Sequence, residues 1–157
     1  MSNTLLMAQA FGDAVGGVGK RTIQFWTDRG AIKCVAETNP GRGRQRLYDE
    51  AEIPIARLIA QMAAFQLPIG RLIESAHLIR GFANLQGRGT TAPSDDGGHL
   101  ADWHRAALAG KEESFICLRS GIDSFMWTDR KGMNEMVEIN AVIVIPVHEV
   151  VKRRVSR

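Results

Sequence analysis

Residues 15–22 read VGGVGKRT: glycines, then Gly-Lys, then a hydroxyl residue close behind. Those residue types, in that order, are what a loop needs to wrap a nucleotide's phosphates with backbone N–H groups and one lysine. The spacing breaks the pattern. A phosphate loop runs G-x-x-x-x-G-K-[ST] between a buried strand and a helix. Here the first glycine position holds Ala14, Arg21 stands where the magnesium-binding hydroxyl belongs, and Thr22 comes one residue late. The preceding LLMAQAFGDAV lacks the Val/Ile run of a buried parallel strand. A turn between two helices is the expectation, and a nucleotide hydrolase is the last of the functions considered.

Other candidate chemistry is also incomplete. His99 and His104 are five apart, on different helix faces rather than at the i, i+4 spacing of a zinc helix. His77 and His148 stand alone. Cys34 and Cys117 are isolated, as in a reducing compartment, and a strand cysteine is ordinarily a small hydrophobe. Ser114, Ser120 and Ser124 lack a G-x-S-x-G elbow, and no carboxylate pair stands out. The expectation is a non-enzyme with no catalytic residue, no metal and no cofactor.

Charge carries more information than any of these. The chain of 157 residues has a net charge of only +3, an apolar fraction of 45% and a charged fraction of 24%. Yet residues 18–48 hold Lys20, Arg21, Arg29, Lys33, Arg42, Arg44 and Arg46 against Asp28 and Glu37, which leaves +5. Residues 81–157 hold ten basic and ten acidic residues and cancel. A concentrated basic patch on a near-neutral chain points to a polyanion partner, with a solvated basic face as the plain alternative. No apolar run approaches the roughly 18 residues of a membrane span. No positive region precedes an apolar stretch at the N-terminus, so a secretory leader is not expected. A cytoplasmic protein is the expectation.

The elements that must carry this patch follow from periodicity and punctuation. Residues 5–15 read as a first helix, with Leu5, Leu6, Met7, Ala8 and Phe11 near one side, ended by Gly16-Gly17. Residues 20–29 read as a second, with Ile23 and Trp26 as apolar contacts and Gly30 as its cap. Ile32, Cys34 and Val35 look extended, TNPGRGR has turn chemistry, and QRLY looks extended again, which predicts a basic β-hairpin, or wing. Asp49 opens a third helix, Glu52 completes a capping-box pattern, and Pro54 falls late in the first turn. Ile55, Leu58, Ile59 and Met62 mark the buried stripe of that helix. Pro68 opens a fourth helix, expected to stop near Gly81.

Residues 84–98 form a polar, Gly-rich linker. Beyond it, HLADWHRAALAG reads as a helix ending at Gly110, and SFICLR and SFMWT as strands joined by residues 120–123. A turn at 129–132, a long strand in MVEINAVIVIPV stopped by Pro146, and a helical turn or two in HEVVKRRV complete the chain. The fold class is α+β: a winged helix-turn-helix head at 1–83, a linker at 84–98 and a small α+β module at 99–157.

The wording of the head resembles that of the MerR family. GVGKRTIQFW is similar to its Gly-Val-Ser, two variable residues, then Thr-Ile-Arg-Tyr-Tyr. Asp28-Arg29-Gly30 resembles the family's Glu-x-Gly, Arg46-Leu47-Tyr48 the close of its wing, and Phe65-Gln66-Leu67-Pro68-Ile69 with Leu72-Ile73 a later helix step. The resemblance covers about residues 5–80. It departs from the family at Gly19 for the cap serine, Gln24 for arginine, and Phe25 and Trp26 for two tyrosines. The family's long antiparallel dimerisation helix has no counterpart.

The residues and the resemblance together imply a sequence-specific transcriptional regulator of double-stranded DNA, acting as a homodimer on a two-part site. Lys20, Arg21, Thr22 and Gln24 open a helix short enough for the major groove, where Gln pairs with adenine edges and Arg or Lys with guanine. Arg42, Arg44 and Arg46 on the hairpin would reach phosphates or a minor groove. Phe25, Trp26, Arg29, Lys33 and Tyr48 complete the expected contact set, with Phe25 and Trp26 weighed toward the core. The C-terminal module would serve self-association or a protein or small-molecule partner. An excisionase-like or architectural DNA-bending protein and a protein-interaction adaptor are the alternatives.

Overall fold

The computed structural model describes residues 4–38, 45–84, 97–118, 125–138 and 143–152. The chain divides into two compact units, one running through His77 and the other from Leu78 to Lys152.

The first unit opens differently from the sequence expectation. Leu5–Met7 is not helical but a strand, β1, and the helix α1 begins only at Ala8 and ends at Val15. β1 pairs antiparallel with β3 (Gln45–Asp49), Leu6 opposite Tyr48. On the other side of β3 lies β2 (Ala36–Thr38), also antiparallel, with Ala36 opposite Leu47. The second strand of the wing, β3, is therefore the centre of a three-stranded sheet. The predicted turn of the wing, with Arg42 and Arg44, lies outside the described residues. Ile32 and Val35 precede β2; Ile32 is buried, and the Val35 N–H donates to the carbonyl of Leu47 at 2.8 Å.

Gly16 and Gly17 carry φ values of +134° and +82°, which side chains rarely adopt, and they end α1 as the sequence implies. The Gly12 carbonyl accepts from the N–H groups of Gly16, Gly17 and Val18 at 3.3, 3.1 and 3.0 Å. Gly12 is itself required: a Cβ there would sit 2.1 Å from the Val18 carbonyl oxygen. α2 (Lys20–Asp28) then starts after Gly19 and ends in a Schellman turn. There the Ala31 N–H donates to Trp26 at 2.9 Å and that of Gly30, at φ +83°, to Thr27 at 3.0 Å.

Asp49 caps a 3₁₀ turn, Glu50–Glu52, its carboxylate accepting from the Ala51 N–H at 2.9 Å. The Glu52 carboxylate accepts from the Lys33 N–H at 3.0 Å, which ties this turn to the start of the wing. The 3₁₀ turn also accommodates Pro54, which becomes an early residue of α3 (Ile53–Ala64), where a missing N–H costs nothing. Ile55, Leu58, Ile59 and Met62 are all buried. α4 spans Ile69–Asn84, past the expected stop at Gly81, and the boundary between the units falls within it. A single glycine in a helix costs only about 1 kcal/mol and does not end it without a following positive-φ turn.

In the second unit, α5 (Gly97–Leu108) closes at Gly110, φ +70°. β4 (Phe115–Leu118) lies between β5 (Phe125–Thr128) and β6 (Ile143–Pro146), antiparallel to both. Phe115, Ile116 and Cys117 are consecutive and all buried, so both faces of β4 are covered. The row Trp127–Ile116–Ile145 crosses all three strands and is buried throughout. The expected turn at 129–132 and the front of the expected long strand are instead α6 (Arg130–Glu138). Asp129 caps it, its carboxylate taking the Gly132 N–H at 2.9 Å and its carbonyl the Met133 N–H at 3.0 Å. α7 (Val147–Lys152) follows Pro146 directly. The predicted linker core (85–96), the residue 120–123 turn and residues 139–142 lie outside the described residues.

Gly12→Ala should destabilise the first unit by about 1–3 kcal/mol, because the Val18 carbonyl cannot retreat without breaking the turn. Gly70→Ala, in α4 with open space around it, should stabilise by about 0.5–1 kcal/mol. Urea titrations of both variants check the pair, and equal effects would contradict this account of the turn.

Candidate nucleic-acid interface

α2 divides cleanly into two faces. Ile23 and Trp26 are buried and form its inner side, while Lys20, Arg21, Thr22, Phe25 and Asp28 are exposed. Gln24 is half-buried. The polar first turn predicted from the sequence thus lies on the solvent side of the helix. Arg29, at its C-terminal end, and Lys33, beyond the Schellman turn, are exposed as well. Phe25, weighed toward the core from sequence, is 45% exposed. The Arg29 guanidinium lies 5.5 Å from its ring centroid, a cation–π contact.

Three residues expected to contact DNA have another place. Trp26 is 6% exposed and packs inside. Tyr48 has no exposed surface; its ring stacks on Phe11 at 4.6 Å between centroids. Its hydroxyl lies 3.0 Å from that of Thr27, which donates its own proton to the Ile23 carbonyl at 2.8 Å. Tyr48 is therefore the donor in the shared contact. Burial pushes the Tyr48 phenol above its ordinary value, against the Thr27 hydroxyl and Arg46 guanidinium, which pull it down.

Arg46 is 8% exposed, on the same inward face of β3 as Tyr48. Its Nη2 meets the Asp28 carboxylate at 2.6 Å, and its Nη1 donates to the Gln24 carbonyl at 3.3 Å. The reason is the pleat: residues two apart on a strand share a face, so a buried Tyr48 brings Arg46 inward with it. This pair neutralises the one carboxylate on α2, so Lys20, Arg21, Arg29 and Lys33 act without local opposition from the helix. Arg57, which the sequence reading left aside, donates through Nε and Nη2 to the Ala14 carbonyl at 3.2 and 2.8 Å. A cation on the last carbonyls of α1 steadies the start of the turn that sets α2. A lone cation in a helix otherwise uncharged, Ile53–Ala64, is the available signal.

The second unit contains several of the remaining sequence candidates. His104 is buried, its ring 4.9 Å from Phe82 and 4.6 Å from Trp127. Cys117 is buried, and burial raises its thiol pKa. Ser114 is buried and accepts from the Trp127 indole N–H at 3.1 Å. Glu113 and Arg130 form a surface ion pair, which holds the Glu113 carboxyl low. Among the described residues no group of three His, Cys, Asp or Glu is arranged to hold a metal ion, and no helix is long and apolar enough to cross a membrane.

Arg46→Ala should lower the unfolding free energy by about 1–3 kcal/mol, from the lost ion pair, the lost backbone contact and the emptied stem. Arg46→Lys should recover only part, since an ammonium cannot reach both partners as a fork does. Chemical denaturation measures both, and a wild-type midpoint for Arg46→Ala would contradict the assignment. Tyr48→Phe should cost about 1 kcal/mol at neutral pH through the lost hydrogen bond. In the wild type the raised phenol pKa means that the unfolded state releases its proton first as pH passes 10.0, the ordinary value. The associated stability is complete below that pH and is lost as pH climbs toward the folded-state value. Tyr48→Phe should remove this part of the alkaline decline in a stability–pH series.

Residues 15–76 match a family model described as MerR HTH family regulatory protein. The match begins at the last residue of α1 and runs through α2, the wing and α3 into α4. No curated protein matches the chain. Over these residues the N-terminal part of this chain is similar to the MerR helix-turn-helix family.

Proposed function

We propose that the protein is a sequence-specific DNA-binding transcriptional regulator. The observation that carries this reading is the division of α2: its inner face is anchored by Ile23 and Trp26, and its outer face offers Lys20, Arg21, Thr22 and Phe25. A helix of this length, presented by a fixed turn and cationic at its N-terminal end, suits the major groove. Lys20, Arg21, Thr22 and Gln24 are the groove-facing residues in this reading. Arg29, Lys33, Arg42 and Arg44 lie along the flanking phosphates. Trp26, Arg46 and Tyr48 support the head from within.

The protein works as a homodimer on a two-part site in the cytoplasm, because one small head reads few base pairs and two heads multiply affinity. Residues 1–83 form the DNA-binding domain, 84–98 the linker, and 99–157 a module for self-association or for a protein or small-molecule partner. The chemistry is recognition rather than catalysis.

Binding to a selected duplex should weaken steeply with salt, since each neutralised phosphate releases counterions. Arg21→Ala and Arg44→Ala should each weaken binding and reduce the salt slope by about 1. Gel-shift titrations at several salt concentrations test this, and unchanged affinity in both variants would sink the reading.

A further inference from the structure

We propose that Phe25 reads the 5-methyl group of a thymine in the major groove, and that Arg29 steadies the ring for that contact. The inference rests on the DNA-binding reading above and names what α2 recognises.

Phe25 occupies the middle of the exposed face of α2, four residues from Arg21 on one side and from Arg29 on the other. Its ring is 45% exposed although Ile23 and Trp26, on the same helix, are buried. The head has no need of this ring for its core, which Trp26, Phe11 and Tyr48 fill. A phenyl group has no hydroxyl to offer a phosphate and no donor for a base edge. What it can offer a groove is apolar contact, and thymine is the one base that presents an apolar group there.

The neighbours fit that occupant. The Arg29 guanidinium sits 5.5 Å from the ring centroid and restricts the ring while keeping a cation beside it. Arg21 and Lys20 are exposed one turn away, and Asp28, the only carboxylate of α2, is engaged by Arg46 at 2.6 Å. The apolar ring is thus set in a positively charged surface without local opposition. A neutral apolar partner protein would meet those cations unpaired, whereas a duplex meets them with phosphates.

The test uses the full chain and a duplex obtained by selection from random sequence. Each thymine is replaced in turn by uracil, which removes the methyl and leaves every hydrogen-bonding group. Affinities are measured by fluorescence anisotropy for the wild type and for Phe25→Ala, whose fold is checked by circular dichroism. One uracil position should weaken wild-type binding by about fourfold, the worth of one buried methyl group. Phe25→Ala should bind more weakly and not distinguish thymine from uracil at that position. Wild-type affinity that is indifferent to uracil everywhere would overturn the proposal with no variant needed. So would a Phe25→Ala variant that still loses the same factor on the uracil duplex, or one that changes only the oligomeric state. Failure of the wild type to bind any duplex would overturn the DNA-binding reading itself, and this inference with it.

Discussion

The head is organised around one buried phenol. Tyr48 is placed on β3 by pairing with Leu6, stacks on Phe11 of α1, and donates its hydroxyl proton to Thr27 of α2. A single side chain thereby joins the sheet to both helices of the helix-turn-helix. Because it has no exposed surface, its hydroxyl must find a protein partner, or its burial would cost about 1–3 kcal/mol. Because the Thr27 proton goes to the Ile23 carbonyl, the lone pairs of its hydroxyl are left to accept from Tyr48. This chain of contacts ties α2 to the sheet.

Arg46 follows from the same constraint. Once the pleat turns Tyr48 inward, the residue two positions earlier must turn inward too, and a guanidinium there needs an acceptor. Asp28 and the Gln24 carbonyl provide them. The outcome is an allocation of charge. A wing arginine cancels the carboxylate of α2 from behind, and the exposed cations are left to act together. Arg57 does the corresponding work at the end of α1, where its guanidinium holds the Ala14 carbonyl.

Much of this was legible in the sequence, and the failures have identifiable causes. α2 and its end were readable because the apolar positions, Gly19 and Gly30 all act locally. The buried stripe of α3 was readable for the same reason. β1 was not: Leu5-Leu6-Met7 are good helix formers, and only pairing with a strand some forty residues on makes them extended. α6 is hidden because Met136 and Val137 run into the apolar segment that ends in β6, while Asp129 by its type reads as a turn residue rather than a cap. In the site, counting charges put Arg46 with the other wing arginines, though its alternation with Tyr48 already implied an inward side chain. Phe25 reads as core by its type, which does not say which side of a helix is already filled.

The turn between α1 and α2 has a consequence for how such a head can change. The Gly12 carbonyl gathers three successive N–H groups, and Gly12 allows the Val18 carbonyl to come close enough to lock them. The number of residues in the turn is thus fixed as firmly as its shape. Adding or removing one would break this set of contacts on the Gly12 carbonyl and unseat the start of α2, whose inner face is held by Ile23 and Trp26. The turn behaves as a spacer of fixed length for the helix it launches. Residues on the outer face of α2 can therefore be exchanged freely to alter what is read, while insertions and deletions in these few glycines cannot.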